Sequence, residues 1–345
     1  MNINSRLRDE LLRIIDAVVI HSPAAFSFGG KRSTGIAMPM PGLQLTPGMP
    51  PLMTELTSQL YDHCFSKRFS GQSAETEVPG FESGAAWLEA LSRANESRER
   101  WEDGWQVTQG MANGQVLAAR GGKMRALAPG EFVNLGGSGM AFAPGRAVRI
   151  FVPRDSRTMQ PGYYFAFGET LPDYNDEYSV VRFYWNVTSE GPAELLRLIS
   201  RELNRWHVPF RFKTGTVAAM FRRRDSAVLY TPRRYAPFTF EIASEIHARV
   251  LPFLRDDVPL FTLRLEAGFA FAEDPGTQES FGMSRCRILA HALWLAHSAG
   301  VREPEQRFCA VAEQFQAGGI SLERPWLNGG SANEFPFAAR VTEAA

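Results

Sequence analysis

The sequence has little cysteine and no net charge. Three cysteines occur among 345 residues, and Cys64, Cys286 and Cys309 are too few and too scattered for a disulfide framework or a zinc site. Basic and acidic residues number 37 each, so net charge gives no general attraction to polyanions. No apolar run approaches the roughly 18 residues that span a bilayer, and Met1–Arg13 lacks a secretory pattern. We therefore expect a cytoplasmic chain without a membrane partner.

Metal-ligand and nucleotide-binding motifs are also lacking. The six histidines form neither an HExxH pattern nor a compact cluster with acids. The glycine-rich run Leu135–Gly139 is not GxGxxG, and Met140 stands where a serine-hydrolase elbow requires its last glycine. We interpret this run as a turn, and we expect neither a metal nor an organic cofactor.

One part of the chain is strongly basic. Residues 197–234 contain ten Lys or Arg and two acids, Glu202 and Asp225. A basic block in a neutral protein indicates a local anionic ligand. The alternative is a solvated basic face on a strand and a helix. A nucleic-acid module is disfavoured because the rest of the chain is acidic, and we expect no nucleic-acid partner. The basic residues are Arg197, Arg201, Arg205, Arg211, Lys213, Arg222, Arg223, Arg224, Arg233 and Arg234.

The pattern around this block predicts strands that bring the charges together. Arg182–Val187 is rich in aromatic and β-branched residues, which is typical of a strand. An amphipathic helix follows from Pro192, and Val208-Pro209 ends it. Beyond it Phe210, Phe212 and Thr214 alternate with Arg211 and Lys213, and the last strand is Ala227–Tyr230. We expect Arg182, Lys213 and one or two of Arg222 and Arg224 to reach a shared region.

The remaining periodicities define the fold class. Residues 6–20, 52–65 and 84–95 have helical spacing, whereas short strands separated by Gly and Pro turns follow Trp105. We predict an α+β fold, with a mixed, largely antiparallel sheet flanked by helices. Its parts are a helix-rich region, 1–104, and a sheet-and-helix region, 105–345, which form either separate domains or one cooperative unit. The turn-rich stretch Ala25–Pro51 is either a loop or a surface that receives an extended peptide.

A single lysine among arginines suggests a reaction. Arginine stays charged and grips phosphate oxygens with two donors, whereas neighbouring cations lower the pKa of a lysine and make it a plausible base. Together they suit β-elimination of phosphate from phosphoserine or phosphothreonine. The base removes the Cα proton while the arginines stabilise the leaving phosphate. Cys286 and Cys309 lie on apolar helical patterns and are interpreted as packing residues.

Several separated blocks resemble the HopA-type type III effector family of plant-pathogenic bacteria. Within that family the chain looks most like relatives that act as lyases in class V lanthipeptide and thioamitide biosynthesis. The resemblance covers residues 163–296 clearly and residues 60–71 more weakly. The blocks are RFYWN, HVPFRFK, RRRDSAVLY, AEDPGTQESFGMSRC and ALWLA, in that order.

The resemblance implies an enzyme that acts on a precursor peptide after a separate kinase has phosphorylated it. The product is dehydroalanine or dehydrobutyrine. The family is similar to phosphothreonine lyases of enteric pathogens, which place a histidine acid where this chain has Tyr184. The general acid that protonates the leaving phosphate is therefore Tyr184 or another residue such as His207, or phosphate leaves without an acid. By the same resemblance Lys213 is the base, and the phosphate and substrate contacts are Arg182, Arg222 or Arg224, Tyr230 and Arg285.

The same resemblance allows a second hypothesis, in which the chain is a protein-interaction module without catalytic activity. HopA-type effectors are known chiefly as host-directed virulence factors, so a member could act by binding without chemistry. A secretion arm at the N-terminus would favour that reading, but Met1–Asp16 has the pattern of a folded helix.

Overall fold

The computed structural model describes residues 3–33, 49–71, 84–136, 143–277 and 279–338. Its α-helices are α1 (Ser5–Ala17), α2 (Leu52–Leu60), α3 (Ala85–Ala94), α4 (Pro192–Arg205), α5 (Ala236–Val250), α6 (Phe281–Ser298) and α7 (Pro304–Ala317). The strands form three antiparallel sheets in chain order. The first contains β1 (Val18–Ser22), β2 (Ala25–Phe28) and β3 (Lys31–Ser33); the second β4 (Arg100–Gly110), β5 (Val116–Arg120), β6 (Lys123–Leu127), β7 (Phe132–Asn134) and β8 (Ala147–Val152). The third contains β9 (Asp155–Ser156), β10 (Tyr163–Phe167), β11 (Val180–Trp185), β12 (Arg211–Gly215), β13 (Ala227–Pro232), β14 (Leu263–Glu266) and β15 (Phe269–Glu273).

The third sheet is the centre of the molecule. Its strand order is β14-β15-β11-β13-β12-β10-β9, and every neighbouring pair is antiparallel. The α+β class and the predominance of antiparallel pairing are thus confirmed. The three strands predicted around the basic block are all present here, with ends that differ by at most two residues.

Side-chain alternation gives this sheet two different faces. Phe183, Trp185, Phe212 and Leu229 are almost fully buried and belong to the main hydrophobic core. On this face His247 of α5 stacks on Phe269, at 5.3 Å between ring centroids. The leucines of α4 join the same core. The opposite face carries the charged residues, because residues at even positions of β11 point to the other side of the sheet from Phe183 and Trp185.

The helices α2 and α6 lie over part of the charged face. The predicted helix at residues 52–65 is confirmed as α2 followed by a π-helical turn, Tyr61–Phe65. Gly282 lets α6 approach this turn closely, because a Cβ there would lie 2.5 Å from the Phe65 ring. The Tyr184 ring lies against Phe65 and Phe281, with centroids 6.4 and 6.5 Å apart.

The N-terminal part contains strands where the sequence pattern predicted a helix and a loop. The helix expected at residues 6–20 ends at Ala17, and Val18–Ser22 is a strand instead. The consecutive β-branched residues Val18, Val19 and Ile20 favour extended backbone. Two further strands, β2 and β3, occupy the beginning of the predicted loop. Residues 34–48 of that loop and Gly137–Gly139 of the predicted turn lie outside the described residues.

The second sheet has a hydrophobic core of its own. Trp105, Val107, Val116 and Ile150 are among its buried residues, and this cluster is separate from the main core. Residues of α1, α2 and α3 instead join the core of the central sheet. Within the described ranges no helix combines the length and the apolar composition needed to cross a membrane.

Candidate functional site

Strand pairing places four of the predicted site residues on one face of the central sheet. Arg182 is paired with Tyr230, which is paired with Arg211 on the next strand. Two residues along, Tyr184 is paired with Val228, which is paired with Lys213. Residues directly opposite one another in an antiparallel pair share a face. The structure therefore brings Arg182, Tyr184, Lys213 and Tyr230 together.

Lys213 is the half-buried amine of this face. Its Nζ lies 3.7 Å from the centre of the Tyr163 ring and 5.8 Å from that of Phe165. Burial lowers the pKa of Lys213 to about 7, and the positive charges of Arg223, Arg182 and Arg211 act in the same direction. The carboxylate of Asp225 opposes this shift. That carboxylate forms its ion pair with Arg223, at 2.9 Å. A substantial fraction of the Lys213 amine is thus neutral near pH 7.

Two arginines contact the Tyr230 ring. The guanidinium carbon of Arg211 lies 4.4 Å from the ring centroid, and that of Arg182 lies 5.1 Å from it. Arg182 is buried and donates from Nε to Asp274 at 2.7 Å, so one edge of its fork is occupied. Arg211 is exposed and faces solvent at the same level of the sheet. Together they form a cationic, aromatic-backed surface beside Lys213.

Tyr184 lies beneath the surface. Its side chain is 2% exposed, under the rings of Phe65 and Phe281. Burial raises the pKa of Tyr184, so its hydroxyl stays protonated at neutral pH. No hydrogen bond of good geometry satisfies that hydroxyl among the residues that the structure describes, although Arg182 lies close enough to lower its pKa both by charge and by a side-chain hydrogen bond. It is a donor available to a ligand that reaches this depth.

Arg223, which the sequence reasoning passed over, is the arginine of the triplet that reaches the site. Its guanidinium donates to both carboxylate oxygens of Asp225, at 2.9 and 3.0 Å, and to the Tyr61 hydroxyl at 2.9 Å. Both Arg223 and Asp225 influence the pKa of Lys213. This ion pair therefore lies at the edge of the same charged face.

Arg222 and Arg224 lie away from Lys213. Arg224 is buried and bonds Glu10 of α1 through both terminal nitrogens, at 3.2 Å each. Arg222 is exposed in the wall of a separate cleft. The sequence led us to expect one or two of Arg222 and Arg224 in the shared region, but residues 218–222 form a 3-10 helix and a turn precedes Ala227. The turn breaks the two-residue period, so Arg223 rather than its neighbours points to the site.

Arg285 is close to the site, but its guanidinium binds the C-terminal segment of the chain. It is the fifth residue of α6, because Ser280 caps that helix and accepts from the Met283 N–H. Arg285 therefore lies more than one turn inside the helix and not among its first N–H groups. Its guanidinium, 1% exposed, donates to the carbonyls of Pro325 and Leu327, at 2.9 Å each. Burial lowers the pKa of Arg285 to about 10, with the charges of Tyr184 and Arg182 as further influences.

His207, the other residue considered as an acid, has a structural position. It is exposed just beyond the end of α4 and adopts a positive φ of 54°. Its N–H bonds the Asn204 carbonyl at 3.1 Å, which closes the helix. In the described ranges no group of three or more His, Cys, Asp or Glu side chains converges as metal ligands would.

The fold and this face define an α+β protein whose central sheet presents a cationic surface around one amine of lowered pKa. The chain belongs to the HopA1 effector protein family, whose model matches residues 154–327. That range covers β10–β15 and α4–α7, including every residue of the charged face on the central sheet. No curated protein matches the chain significantly.

Two solved structures of Pseudomonas syringae are similar to parts of this chain. The effector protein from pathovar tomato strain DC3000 is 20% identical over 48% of this chain and 63% of its own, with a TM-score of 0.39. The effector protein from pathovar syringae strain 61 is 14% identical over 79% of this chain and 88% of its own, with a TM-score of 0.44. The chain thus spans less than two thirds of the length of the first.

Proposed function

We propose that this protein is a phosphoserine/phosphothreonine lyase that acts on a phosphorylated precursor peptide. The observation that carries the proposal is Lys213, a half-buried amine with a pKa of about 7 on a face that also carries Arg182, Arg211 and Arg223. General bases work best with a pKa near the operating pH. The surrounding guanidinium groups suit a phosphate.

The elimination follows from these groups. The neutral Lys213 amine takes the Cα proton of the phosphorylated residue, and the electron pair forms the Cα–Cβ double bond. The Cβ–O bond breaks, and phosphate leaves with that bonding pair. Arg211, exposed above Tyr230, and the free edge of Arg182 stabilise the charge on the leaving oxygens. The products are a dehydroamino acid and inorganic phosphate, so no water or redox partner enters the balance.

Tyr184 is proposed as the donor to the leaving phosphate. Its hydroxyl is protonated at neutral pH and has no hydrogen bond of good geometry in the described residues, and a phosphate oxygen would satisfy it. Tyr230 supplies the platform on which both arginines lie.

A separate kinase supplies the substrate in this proposal, because none of these groups installs a phosphate. The resemblance of the sequence blocks to class V lanthipeptide lyases favours a precursor peptide in the cytoplasm as the substrate. The alternative is a non-catalytic interaction module, which the effector name of the family favours.

The test is loss of phosphoric acid from a synthetic phosphothreonine peptide, followed by mass spectrometry. We expect Lys213→Ala to abolish the elimination while the peptide still binds, and the wild-type kcat/KM to rise with pH through about 7 as the amine of the free protein loses its proton. Exposed Lys31→Ala is the matched control. Elimination by Lys213→Ala at the wild-type rate would refute the lysine-base mechanism, and binding without any elimination by the wild type would favour the interaction module.

A further inference from the structure

Tyr61 brings a further tyrosine hydroxyl to the edge of the charged face. It is the first residue of the π-helical turn Tyr61–Phe65, and its ring stacks on that of Phe65, at 5.4 Å between centroids. Phe65 in turn covers Tyr184. A π-helical turn is rare and often occurs at functional sites. Tyr61 precedes residues 154–327, so the range matched by the family does not include this hydroxyl.

The Tyr61 hydroxyl keeps a hydrogen that it can donate. The hydroxyl oxygen accepts a hydrogen bond from Nη2 of Arg223 at 2.9 Å, which uses a lone pair and leaves the O–H free. Among the described residues no group accepts that hydrogen. Burial raises the pKa of Tyr61, so the hydroxyl stays protonated at neutral pH. The Tyr61 side chain is only half-buried, whereas that of Tyr184 is covered.

Arg223 holds this hydroxyl in place. Its guanidinium carbon lies 5.2 Å from the centroid of the Tyr61 ring, and its Nε and Nη2 are bonded to Asp225. The ion pair of Arg223 and Asp225 has no net charge, so this corner of the face offers hydrogen-bond donors without an excess of positive charge. Fixed donors of this kind suit an oxygen that becomes negative only during a reaction.

Strand register places Lys213 between this corner and the arginines that lie over Tyr230. On β13, Val228 is opposite Lys213, and Tyr230 follows Val228 by two residues. Asp225 precedes Val228 by three residues, in the opposite direction along the chain. At the rise of a strand, Tyr230 is displaced from Lys213 by roughly 7 Å one way and Asp225 by up to roughly 10 Å the other way. The amine is close to both groups, since the charges of both affect its pKa.

The proposed elimination needs donors on both sides of the amine. When Lys213 removes the Cα proton, the electron pair spreads from Cα onto the carbonyl oxygen of the phosphorylated residue. The pair then forms the Cα–Cβ double bond as the Cβ–O bond breaks and phosphate leaves. The carbonyl and the phosphate extend in different directions from Cα. With the phosphate at the arginines over Tyr230, the carbonyl is therefore directed towards Asp225 and its partners.

We infer that Tyr61 is a catalytic residue, whose hydroxyl donates a hydrogen bond to the carbonyl oxygen of the phosphorylated residue while Arg223 fixes its position. This inference rests on the proposed function. It divides the charged face into a phosphate side and a carbonyl side, with the base between them. It also makes the π-helical turn, from outside the matched range, part of the site.

The test compares two synthetic phosphothreonine peptides that differ in one atom, because a sulfur replaces the carbonyl oxygen of phosphothreonine in the second. Sulfur is a weak hydrogen-bond acceptor. We expect Tyr61→Phe, which keeps the ring on Phe65, to lower kcat about 10²-fold on the oxygen peptide and less than about tenfold on the sulfur peptide. Tyr178→Phe, at a side chain that is 69% exposed, is the matched control and should leave both rates unchanged.

Binding of the oxygen peptide provides a second measurement. We expect Tyr61→Phe in the Lys213→Ala background to bind it with the Kd of Lys213→Ala alone, because the charge on the oxygen develops only in the reaction. Both peptides meet the same preparation of Tyr61→Phe, so a partly unfolded fraction cancels from the ratio of their rates.

The outcomes separate this role from the proposed function. An equal loss of kcat on both peptides directs the Tyr61 hydroxyl to another atom, such as a leaving phosphate oxygen, and overturns the assignment. An unchanged kcat, or a loss that appears only in Kd, also overturns it, and in each of these cases elimination by the wild type leaves Lys213 as the base. A wild type that eliminates no phosphate from the oxygen peptide overturns the proposed function and the role of Tyr61 with it.

Discussion

Replacing Lys213 by methionine should make the protein more stable while it removes the base. Methionine has a similar length and no charge, so it fills the same space above Tyr163 without an amine to desolvate. Folding lowers the pKa of Lys213 from 10.5 to about 7. Between these values the unfolded chain binds more protons than the folded chain, so this group makes stability rise with pH over that range.

The size of the expected gain in stability follows from the pKa shift of Lys213. A pKa difference of this size corresponds to a ceiling of about 5 kcal/mol, which is the full cost of folding with the charged amine below pH 7. Lys213 keeps some contact with solvent, and its ammonium also gains from the Tyr163 ring, so we expect roughly 1–2 kcal/mol in practice. For a chain of this length that corresponds to a rise in Tm of about 2 °C.

The measurement is the free energy of unfolding in urea at several pH values between 6 and 10. The wild type should gain stability as pH rises through the interval above 7, whereas Lys213→Met should show a flatter dependence and higher stability at pH 7. Lys31→Met, at an exposed position of β3, should match the wild type. Equal pH dependence in the wild type and Lys213→Met would show that the amine is solvated, and would remove the physical basis for a lysine base.

Three further substitutions test the surroundings of the amine. Tyr184→Phe removes a buried hydroxyl without a hydrogen bond of good geometry, so we expect unchanged or slightly higher Tm but about 10²-fold slower elimination; an unchanged rate would exclude Tyr184 as the donor. Arg223→Gln leaves Asp225 without its partner, so the midpoint of the pH–rate profile should move up by about one unit; a fixed midpoint would contradict the electrostatic account. Arg285→Met leaves two buried carbonyls without donors, so urea unfolding should show a loss of about 2–4 kcal/mol, and wild-type stability would rule out this anchoring role.

Local patterns predicted the strands of the central sheet because each strand has one face in the core. Phe183 and Trp185 on β11, and Phe212 on β12, are buried and alternate with the polar face. A shift of one residue would expose these aromatic rings, so burial fixes the register. The shared face of Arg182 and Lys213 follows directly from that alternation.

The alternation of buried and polar residues could not predict side-chain positions beyond the ends of the strands. Arg222, Arg223 and Arg224 are identical in type and adjacent in sequence, so composition cannot tell which one approaches Lys213. The choice depends on a 3-10 helix and a turn before β13. It also depends on Glu10 and Tyr61, which are distant in sequence and hold Arg224 and Arg223 in place. Such long-range partners leave no periodic signal.

The surroundings of Lys213 show why lysine suits this position. The Tyr163 ring and Asp225 favour the charged amine, whereas burial and three arginines favour the neutral one. Their balance puts the pKa within reach of neutral pH, and a phosphate bound to the arginines would move it upward again by cancelling their charge. The proton taken from Cα is then held more firmly in the presence of phosphate than after phosphate has left. Arginine at the same position would stay charged under all these conditions and could not accept a proton. The cationic surface and the amine therefore depend on each other, and phosphate release itself returns Lys213 toward its neutral form.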